Sequence, residues 1–390
     1  MLTASALVVE LSALGAAVPA GAAAPKAPVN VGLIYSKTGP LASYGAQYAD
    51  GFAVGLDYAT HHTGMAAGHK IVVTERDDAG DAAKAVAAAK DLVGQGYKIL
   101  AGSTASGVAL QMAPLAKENN VLFISGPAAA DGISGNNRNT FRSGRQTYQD
   151  VLTAGTIVGT NLRGKKVLVY AQDSAFGQAN VNAVRAVLGG EGASIDSVLA
   201  PLSANDFTPF AQKIKDAKPD LLFVAWAGAT APAMWKSLDD ERIFDSIKVV
   251  TGLDQRSSYE TLGSAGTKIA FLSHYFYEAP KNAVNDALVA GLKKENKVPD
   301  LFDPDGFVAA QMIVQAIEKS DGDDVGKMIS ALEGWTFGAP KGKQTIRAVD
   351  HVMLQPMFVA KLQGSGSNLT PKLVRTVPLE AVSPPVHPFK

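Results

Sequence analysis

The chain alternates short apolar runs with amphipathic stretches of helical period, and this alternation occurs as two series. The first series predicts strands at 29–35, 71–74, 98–101 and 121–124, with helices at 44–60, 82–94 and 107–119. The second predicts strands at 166–170, 194–199, 221–225, 248–251 and 269–272, with helices at 176–188, 207–218, 231–238 and 257–262. Strands separated by single helices are typical of parallel sheets with right-handed crossovers. The sequence therefore predicts an α/β protein with two lobes of about 120 residues each.

The C-terminal part of the chain breaks this alternation. Helices are predicted at 282–296 and 306–320, and extended structure at 345–348 and 353–362. We expect this extended tail to return and complete the earlier sheets. The proline-rich end, AVSPPVHPFK, is expected to wrap the surface.

The stretch from 97 to 131 contains the strongest functional signal of the residues taken alone. A strand stops at Gly102 and the chain then carries the hydroxyls of Ser103, Thr104 and Ser106 directly before a helix. The first N–H groups of a helix have no intrahelical partner, so with these hydroxyls they favour an anion. No acid, base or nucleophile stands beside them. This pattern indicates a site that holds a small carboxylate rather than one that transforms it.

Aromatic residues recur just beyond a strand or at a helix start in both series. The positions are Tyr44, Phe176, Trp226, Tyr275 and Phe307. Ligands dock at the carboxyl ends of parallel strands, and aromatic walls suit small organic ligands. Each residue taken singly is better explained by the hydrophobic core. Their shared placement favours a ligand-binding interpretation.

Composition and motifs exclude several classes of function. The 36 Lys and Arg balance the 36 Asp and Glu without a basic stripe, so we expect no nucleic-acid partner. There are no cysteines, and the six histidines lack metal-binding spacing, so neither a metal nor another cofactor is expected. Nucleotide-binding glycine motifs and a G-x-S-x-G elbow are missing, so an enzyme is not expected.

The acidic segment 76–81 (RDDAGD) has two interpretations. It could bind a cation, or Asp78 or Asp81 could cap the helix that begins at Ala82. Carboxylates favour helix N-termini because of the helix dipole, which favours the capping interpretation.

Residues 1–24 are apolar, rich in alanine and end in small residues, which predicts a signal peptide and export. Two features weigh against it: no Lys or Arg precedes the apolar part, and Glu10 interrupts it. The alternative is a helical or disordered tail. No other apolar run reaches the length of about 20 residues that a membrane helix needs, so the exported protein is expected to be soluble.

Six segments together carry a resemblance to a known family. They are VGLIYSKTGPLASYGAQYADGFAVGLDYA, ERDDAGDAAKAVAAAKDLV, GSTASGVALQMAPLAKENNVLFISGPAAAD, TFRSGRQ, YAQDSAFGQ and IRAVDHVMLQPMF. In this order the chain resembles the periplasmic solute-binding proteins of branched-chain amino-acid ABC transporters, the leucine/isoleucine/valine-binding type. Each segment alone is a loose pattern, but jointly they are specific and extend over nearly the whole chain after residue 24.

The resemblance implies two flavodoxin-like lobes with parallel sheets, a hinge of three crossovers and a ligand cleft between the lobes. It implies lobe 1 at 27–144 and 277–345, and lobe 2 at 145–276 and 346–390. The crossovers are then expected near 143–147, 274–278 and 339–352. Function would follow from lobe closure around a small ligand, with permease subunits as partners. We expect a monomer.

The resemblance also implies roles for particular residues. Carboxylate-binding hydroxyls fall at Ser103 or Ser106, and the neighbouring amide and hydroxyl site falls at Ala128 and Ala130. The acid that binds an ammonium group corresponds to Asp254. The aromatic contacts correspond to Tyr44, Phe176, Trp226 and Phe307.

Three departures from the family pattern leave the ligand open. The disulfide of the family is absent, since its positions correspond to Gly80 and either Ala101 or Gly102. Ala130 replaces a frequent threonine, and Asp254 replaces a glutamate, while the nearby Arg256 could bind an anion instead. Aliphatic amino acids, short amides and aromatic carboxylates all remain candidates. A ligand-sensing receptor subunit is the alternative function.

Overall fold

The computed structural model describes residues 26–366 and 368–389. The predicted signal peptide at 1–24 lies outside the described residues. No helix in the described part of the chain has both the length and the hydrophobicity that crossing a membrane requires.

The first sheet has six strands in the order β2-β3-β1-β4-β5-β6. Its strands are β1 (Val29–Tyr35), β2 (Met65–Ala66), β3 (His69–Asp77), β4 (Ile99–Gly102), β5 (Leu122–Ser125) and β6 (Thr140–Arg142). All neighbours pair in parallel except β2 and β3. Strands β4 and β5 are buried along their whole length because helices cover both faces, which explains their continuous apolar runs.

The second sheet has seven strands in the order β16-β15-β11-β10-β9-β7-β8. Its strands are β7 (Lys166–Gln172), β8 (Ser194–Ala200), β9 (Leu221–Ala225), β10 (Lys248–Gly252), β11 (Ala270–Ser273), β15 (Met357–Gln363) and β16 (Thr370–Val377). Strands β7 to β11 are parallel, and β15 and β16 extend the sheet in antiparallel register. The C-terminal tail therefore completes an earlier sheet, as predicted.

Three short antiparallel strands form a third sheet. They are β12 (Thr336–Ala339), β13 (Gly342–Ile346) and β14 (Met353–Leu354). Ile346 and Met353 belong to the core of the first sheet, whereas Met357 packs on the second. The last passage between the lobes thus lies between Met353 and Met357, which is beyond the predicted lobe 1 limit at residue 345. The other predicted lobe bounds stay predictions.

Ten α-helices are present in the described residues. They are α1 (Ala42–Ala59), α2 (Ala82–Gly94), α3 (Ser106–Glu118), α4 (Thr147–Val158), α5 (Ala175–Val187), α6 (Thr208–Ala217), α7 (Ala231–Asp240), α8 (Ala283–Lys294), α9 (Asp303–Ser320) and α10 (Val325–Leu332). The sequence did not predict α4 and α10. The predicted helix at 257–262 was wrong, because 3₁₀ turns occupy this stretch.

After β11 the chain returns to the first lobe, where α9 packs closely against α1. Helices α1 and α9 approach so closely that a Cβ on Gly51 would lie 1.9 Å from the Asp303 carbonyl oxygen. A Cβ on Gly306 would lie equally close to the Tyr48 carbonyl oxygen. These positions need glycine because the two backbones touch, and α9 is fixed against the first lobe.

The acidic segment before α2 serves as a helix cap. The Asp81 carboxylate accepts a hydrogen bond from the Lys84 N–H at 2.9 Å. Asp78 instead accepts hydrogen bonds from the Ser36 hydroxyl and from the Gly80 N–H. The capping interpretation is therefore confirmed for Asp81. The described residues contain no acidic or histidine cluster that could hold a metal ion.

Candidate ligand-binding site

A cavity of about 710 Å³ lies between the carboxyl ends of the strands of the two large sheets. Loops after β1, β3, β4, β5 and β6 line it from the first lobe, and loops after β7, β9, β10 and β11 line it from the second. This is where parallel sheets bind ligands, because the loops after the strands converge there. The volume suits a small organic molecule.

The cavity brings six of the ten predicted site residues together. They are Tyr44, Thr104, Ser106, Phe176, Trp226 and Asp254. Three come from the first lobe and three from the second, so both lobes contribute predicted residues to the cavity wall.

The other four predicted site residues do not line this cavity. The Ser103 hydroxyl donates to the Ala105 carbonyl oxygen at 2.9 Å, so the turn itself uses it. Ala128 and Ala130 are buried in the apolar cluster around α3. Phe307 is 0% exposed and packs with Tyr275 and with Leu288 and Leu292 of α8.

The α3 N-terminus forms the polar part of the first-lobe wall. Gly102 ends β4 at a φ of +114°, where a Cβ would lie 2.1 Å from the Ile34 carbonyl oxygen. The chain turns at once, and Ala105 becomes the N-cap of α3. No side chain among the described residues caps this helix. Its first N–H groups therefore remain available at the cavity wall, where Ser106, Gly107 and Val108 lie.

The Ser106 hydroxyl joins α3 to the neighbouring loop after β5. Its oxygen accepts hydrogen bonds from the N–H groups of Ala129 and Ala130, at 3.2 and 3.1 Å. These two bonds occupy the oxygen as an acceptor, so the hydroxyl hydrogen can be donated to an anion in the cavity. Ala130 thus contributes to the site through its backbone.

The second-lobe wall is mainly aromatic and aliphatic. Trp226 packs against Tyr170 and Phe207 with ring centroids 5.0 and 5.1 Å away. Its indole N–H donates to the Thr230 hydroxyl at 3.0 Å, which fixes the ring. Phe176 stands at the start of α5, whose N-cap Ser174 already accepts from the Gly177 N–H. This wall offers apolar contact more than free donors.

Hydrogen bonds between the lobes close the mouth of the cavity. The Tyr44 hydroxyl donates to Asp254 Oδ1 at 2.6 Å and accepts from the Gly228 N–H at 3.3 Å. Gln47 donates to Gln255 at 3.1 Å, and the Ala229 N–H donates to the Pro40 carbonyl oxygen at 3.1 Å. The structure is therefore a closed form.

Asp254 belongs to this closing contact. Burial raises the pKa of the Asp254 carboxyl, and the hydrogen bond from Tyr44 partly opposes that rise. Arg256, the alternative candidate for binding an anion, does not line the cavity. It lies 3.8 Å from Glu278 and over the ring of Tyr277.

The sequence did not single out the charged floor of the cavity. Arg145 and Asp150 pair there at 3.3 Å, and His274 and Phe302 lie beside them. Burial raises the pKa of Asp150 to about 6. Burial, followed by the positive charges of Arg145 and Lys341, holds the pKa of His274 well below its usual range. The sequence signal that could have revealed this floor was Arg145, the second arginine of TFRSGRQ, which follows the edge strand β6.

The protein has two α/β lobes with a cavity between them, and both lobes line this cavity. This arrangement is that of a two-lobed solute-binding protein. The family model "Periplasmic binding protein" matches residues 28–367. The chain belongs to this family.

Individual relatives agree with this family. The chain is 26% identical to the Leu/Ile/Val-binding protein homolog 3 of Brucella melitensis biotype 1, over 78% of this chain and 82% of the relative. It is 26% identical to the Leu/Ile/Val-binding protein BraC3 of Rhizobium johnstonii, over 79% and 84%. An ABC-type branched-chain amino acid transporter structure from Rhodopseudomonas palustris CGA009 is 34% identical, over 93% of this chain and 100% of that one, with a TM-score of 0.77.

A further similar structure holds a ligand. It is a solute-binding protein of an ABC transporter from Rhodopseudomonas palustris BisB5 in complex with 3,4-dihydroxybenzoic acid. It is 25% identical, over 90% of this chain and 98% of that one, with a TM-score of 0.79.

Family membership confirms the predicted fold class and the predicted function. The protein is the extracytoplasmic solute-binding component of an ABC transporter. The receptor alternative is not favoured, and the family is one of solute-binding proteins rather than of enzymes.

Proposed function

We propose that the protein binds a small carboxylate with an apolar body and delivers it, as a monomer, to the permease subunits of an ABC importer. The observation that carries this proposal is the uncapped α3 N-terminus, which opens into the closed cavity. Free N–H groups at a helix start attract an anion because they donate hydrogen bonds and the helix dipole is positive there. The Ser106 hydroxyl adds one more donor.

The remaining walls support an apolar body for the ligand. Ala82, Ala83 and Val86 of α2 face the cavity from one lobe, and Phe176 and Trp226 face it from the other. Burying a branched or aromatic group against such walls contributes about 1.5–3 kcal/mol. The donors fix the orientation of the ligand, and the walls supply much of its affinity.

We propose that the main role of Asp254 is to stabilise the closed arrangement of the lobes rather than to bind an ammonium group. Its Oδ1 already accepts from the Tyr44 hydroxyl and from the Gln255 N–H, at 2.6 and 2.8 Å. The relatives named above are described as binding branched-chain amino acids or 3,4-dihydroxybenzoic acid. A carboxylate is common to these ligands, whereas an ammonium group is not.

Calorimetric titration of matched ligand pairs tests the carboxylate. Benzoate is compared with benzamide, and 4-methylpentanoate with 4-methylpentanamide and with leucine. We expect the acid of a binding pair to bind at least about tenfold more tightly than its amide, because hydrogen bonds to charged groups contribute about 1.5–3 kcal/mol. Equal binding of acid and amide would refute the anion site. Binding of leucine alone would restore the ammonium role of Asp254.

A variant of Ser106 tests whether the carboxylate binds at the start of α3. Ser106→Ala should weaken the acid by about tenfold and leave the amide nearly unchanged. The melting temperature of each variant, measured without ligand, shows whether the loss of the bonds from Ala129 and Ala130 has damaged the fold.

A further inference from the structure

The floor of the cavity holds a buried guanidinium with an unused donor. Arg145 is 8% exposed and lines the cavity. Its Nε lies 3.3 Å from Asp150 Oδ2, and its Nη1 donates to the Pro127 carbonyl oxygen at 2.9 Å. Within residues 26–366 and 368–389, Nη2 has no hydrogen-bond partner. Because Arg145 lines the cavity, this donor is available to an acceptor group of a ligand there.

Asp150 offers the complementary half of such a site. Its carboxylate also lines the cavity, and Arg145 is its one hydrogen-bond partner in the described part of the chain. An ionised carboxylate has about four lone-pair sites, so it can accept a further bond. The pair can therefore donate to and accept from the same ligand group.

The charges around the pair are balanced. Lys341 and Asp305 form a second ion pair at 3.3 Å, and both side chains are 0% exposed. Burial and the nearby cations keep His274 neutral, with a pKa well below its usual range. A second carboxylate of the ligand would face Asp150, and an ammonium would face Arg145. An uncharged hydroxyl, which both accepts and donates, fits this balanced floor.

The floor and the α3 N-terminus are separate parts of the site. Helix α3 follows β4, whereas Arg145 follows β6, and β5 lies between these strands. The two strands are about 10 Å apart. Each part has donors of its own, the α3 N–H groups with Ser106 in one and Arg145 in the other, so the two parts can bind different groups of one ligand.

We propose that Arg145 and Asp150 bind a hydroxyl group of the ligand, so that the preferred solute is a carboxylate with a hydroxyl at the opposite end of its apolar body. This inference rests on the proposed carboxylate site at α3. It assigns specificity to the floor and anion binding to the helix N-terminus.

Titration of hydroxyl pairs tests the inference. The probes are benzoate with 4-hydroxybenzoate, and 3-phenylpropanoate with 3-(4-hydroxyphenyl)propanoate. We expect the wild-type protein to bind the hydroxy acid at least about tenfold more tightly in a pair that fits the cavity. In the double variant Arg145→Met/Asp150→Leu, which leaves no unpaired charge, both members of that pair should bind equally.

The matched control removes the other ion pair. Lys341→Met/Asp305→Leu deletes charges that do not line the cavity, so the preference for the hydroxy acid should remain. The readout is the ratio of two affinities, which damage to the fold alone would not change. Two results would overturn the hydroxyl site and leave the carboxylate site standing. One is that the wild-type protein binds the two acids of every pair with equal affinity. The other is that Arg145→Met/Asp150→Leu keeps the preference for the hydroxy acid. Failure of all four acids and of 4-methylpentanoate to bind would overturn both.

Discussion

Both lobes bring the start of a helix to the cavity, but the two helix starts differ in what they leave available. Helix α5 of the second lobe has Ser174 as its N-cap, and this hydroxyl accepts from the Gly177 N–H at 3.1 Å. Helix α3 of the first lobe has Ala105 as its N-cap, and no described side chain replaces the missing bond. The helix start of the same strand–turn–helix unit is thus capped by a side chain in the second lobe and uncapped in the first.

The difference suggests a division of labour between the lobes. Unused donors at α3 suit the charged group of a ligand, whereas the capped helix α5 stands beside an aromatic wall that suits its apolar body. The second lobe also supplies Asp254, the acceptor of the closing bond from Tyr44. Closure then joins an anion site on one lobe to an apolar wall on the other, and a ligand that contacts both favours the closed form.

The largest effect is expected from capping α3. Ala105→Asp places a carboxylate where it can accept from the first-turn N–H groups, so it competes with the ligand and repels it. We expect at least about a hundredfold loss of affinity for a bound acid, measured by calorimetry. The free energy of unfolding should rise by about 0.5–2 kcal/mol, because the helix gains a cap.

Ser174→Asp is the matched control in the other lobe. It exchanges one good cap for another at α5, so the donors there change little. Its effect on the affinity should be much smaller than that of Ala105→Asp. Similar losses in both variants would show that the two helix starts do not differ in function.

The aromatic wall gives the next effect. Trp226→Ala removes the indole that packs between the cavity and Tyr170, and should weaken ligand binding by about 1.5–3 kcal/mol. Val86→Ala on the first-lobe wall removes less apolar surface and should cost about 1 kcal/mol or less. If Val86→Ala had the larger effect, the apolar body of the ligand would lie on the first lobe.

The closing bond is expected to give a smaller effect. Tyr44→Phe removes the donor to Asp254 and should weaken binding by about 1 kcal/mol, or about fivefold, since only the closed form gains this bond. Small-angle scattering should show a more open free protein. Tyr97→Phe removes a hydroxyl that bonds to Thr74 within the first lobe, and should leave the affinity unchanged.

The smallest effect on binding is expected at α2. Asp81→Ala removes the cap that accepts from the Lys84 N–H, and should lower the free energy of unfolding by about 1 kcal/mol. Urea unfolding measures this change. The affinity should stay constant because Asp81 does not line the cavity, and a large loss of affinity would show that the cap also positions the ligand.

Much of the fold could be predicted from the sequence because buried parallel strands and amphipathic helices have distinct patterns. Helix α4 escaped prediction for a local reason. It contains Thr147, Thr153 and Thr156, which have low helix propensity, and its N-cap is Gln146, whose N–H donates to the Gln149 side chain, in place of a typical Ser, Thr or Asp N-cap. Tertiary packing, rather than propensity, stabilises this helix.

The site was harder to predict, because a strand end fixes where a residue lies but not where its side chain points. Ser103 adopts a φ of +69°, and its hydroxyl bonds to the Ala105 carbonyl oxygen within the turn. Phe307 points into the helix packing because α9 begins four residues earlier, at Asp303. The pair of Arg145 and Asp150 becomes a cavity floor only when the first and second lobes meet.

The most direct test of the central claim compares the two helix starts in one NMR experiment. Amide chemical shifts of the ¹⁵N-labelled protein are followed as a binding acid is added. We predict that the amide protons of Ser106, Gly107 and Val108 move downfield as they donate to the carboxylate, while those of Ala175, Phe176 and Gly177 shift much less. The opposite pattern, with the large downfield shifts at α5, would contradict an anion site on the first lobe.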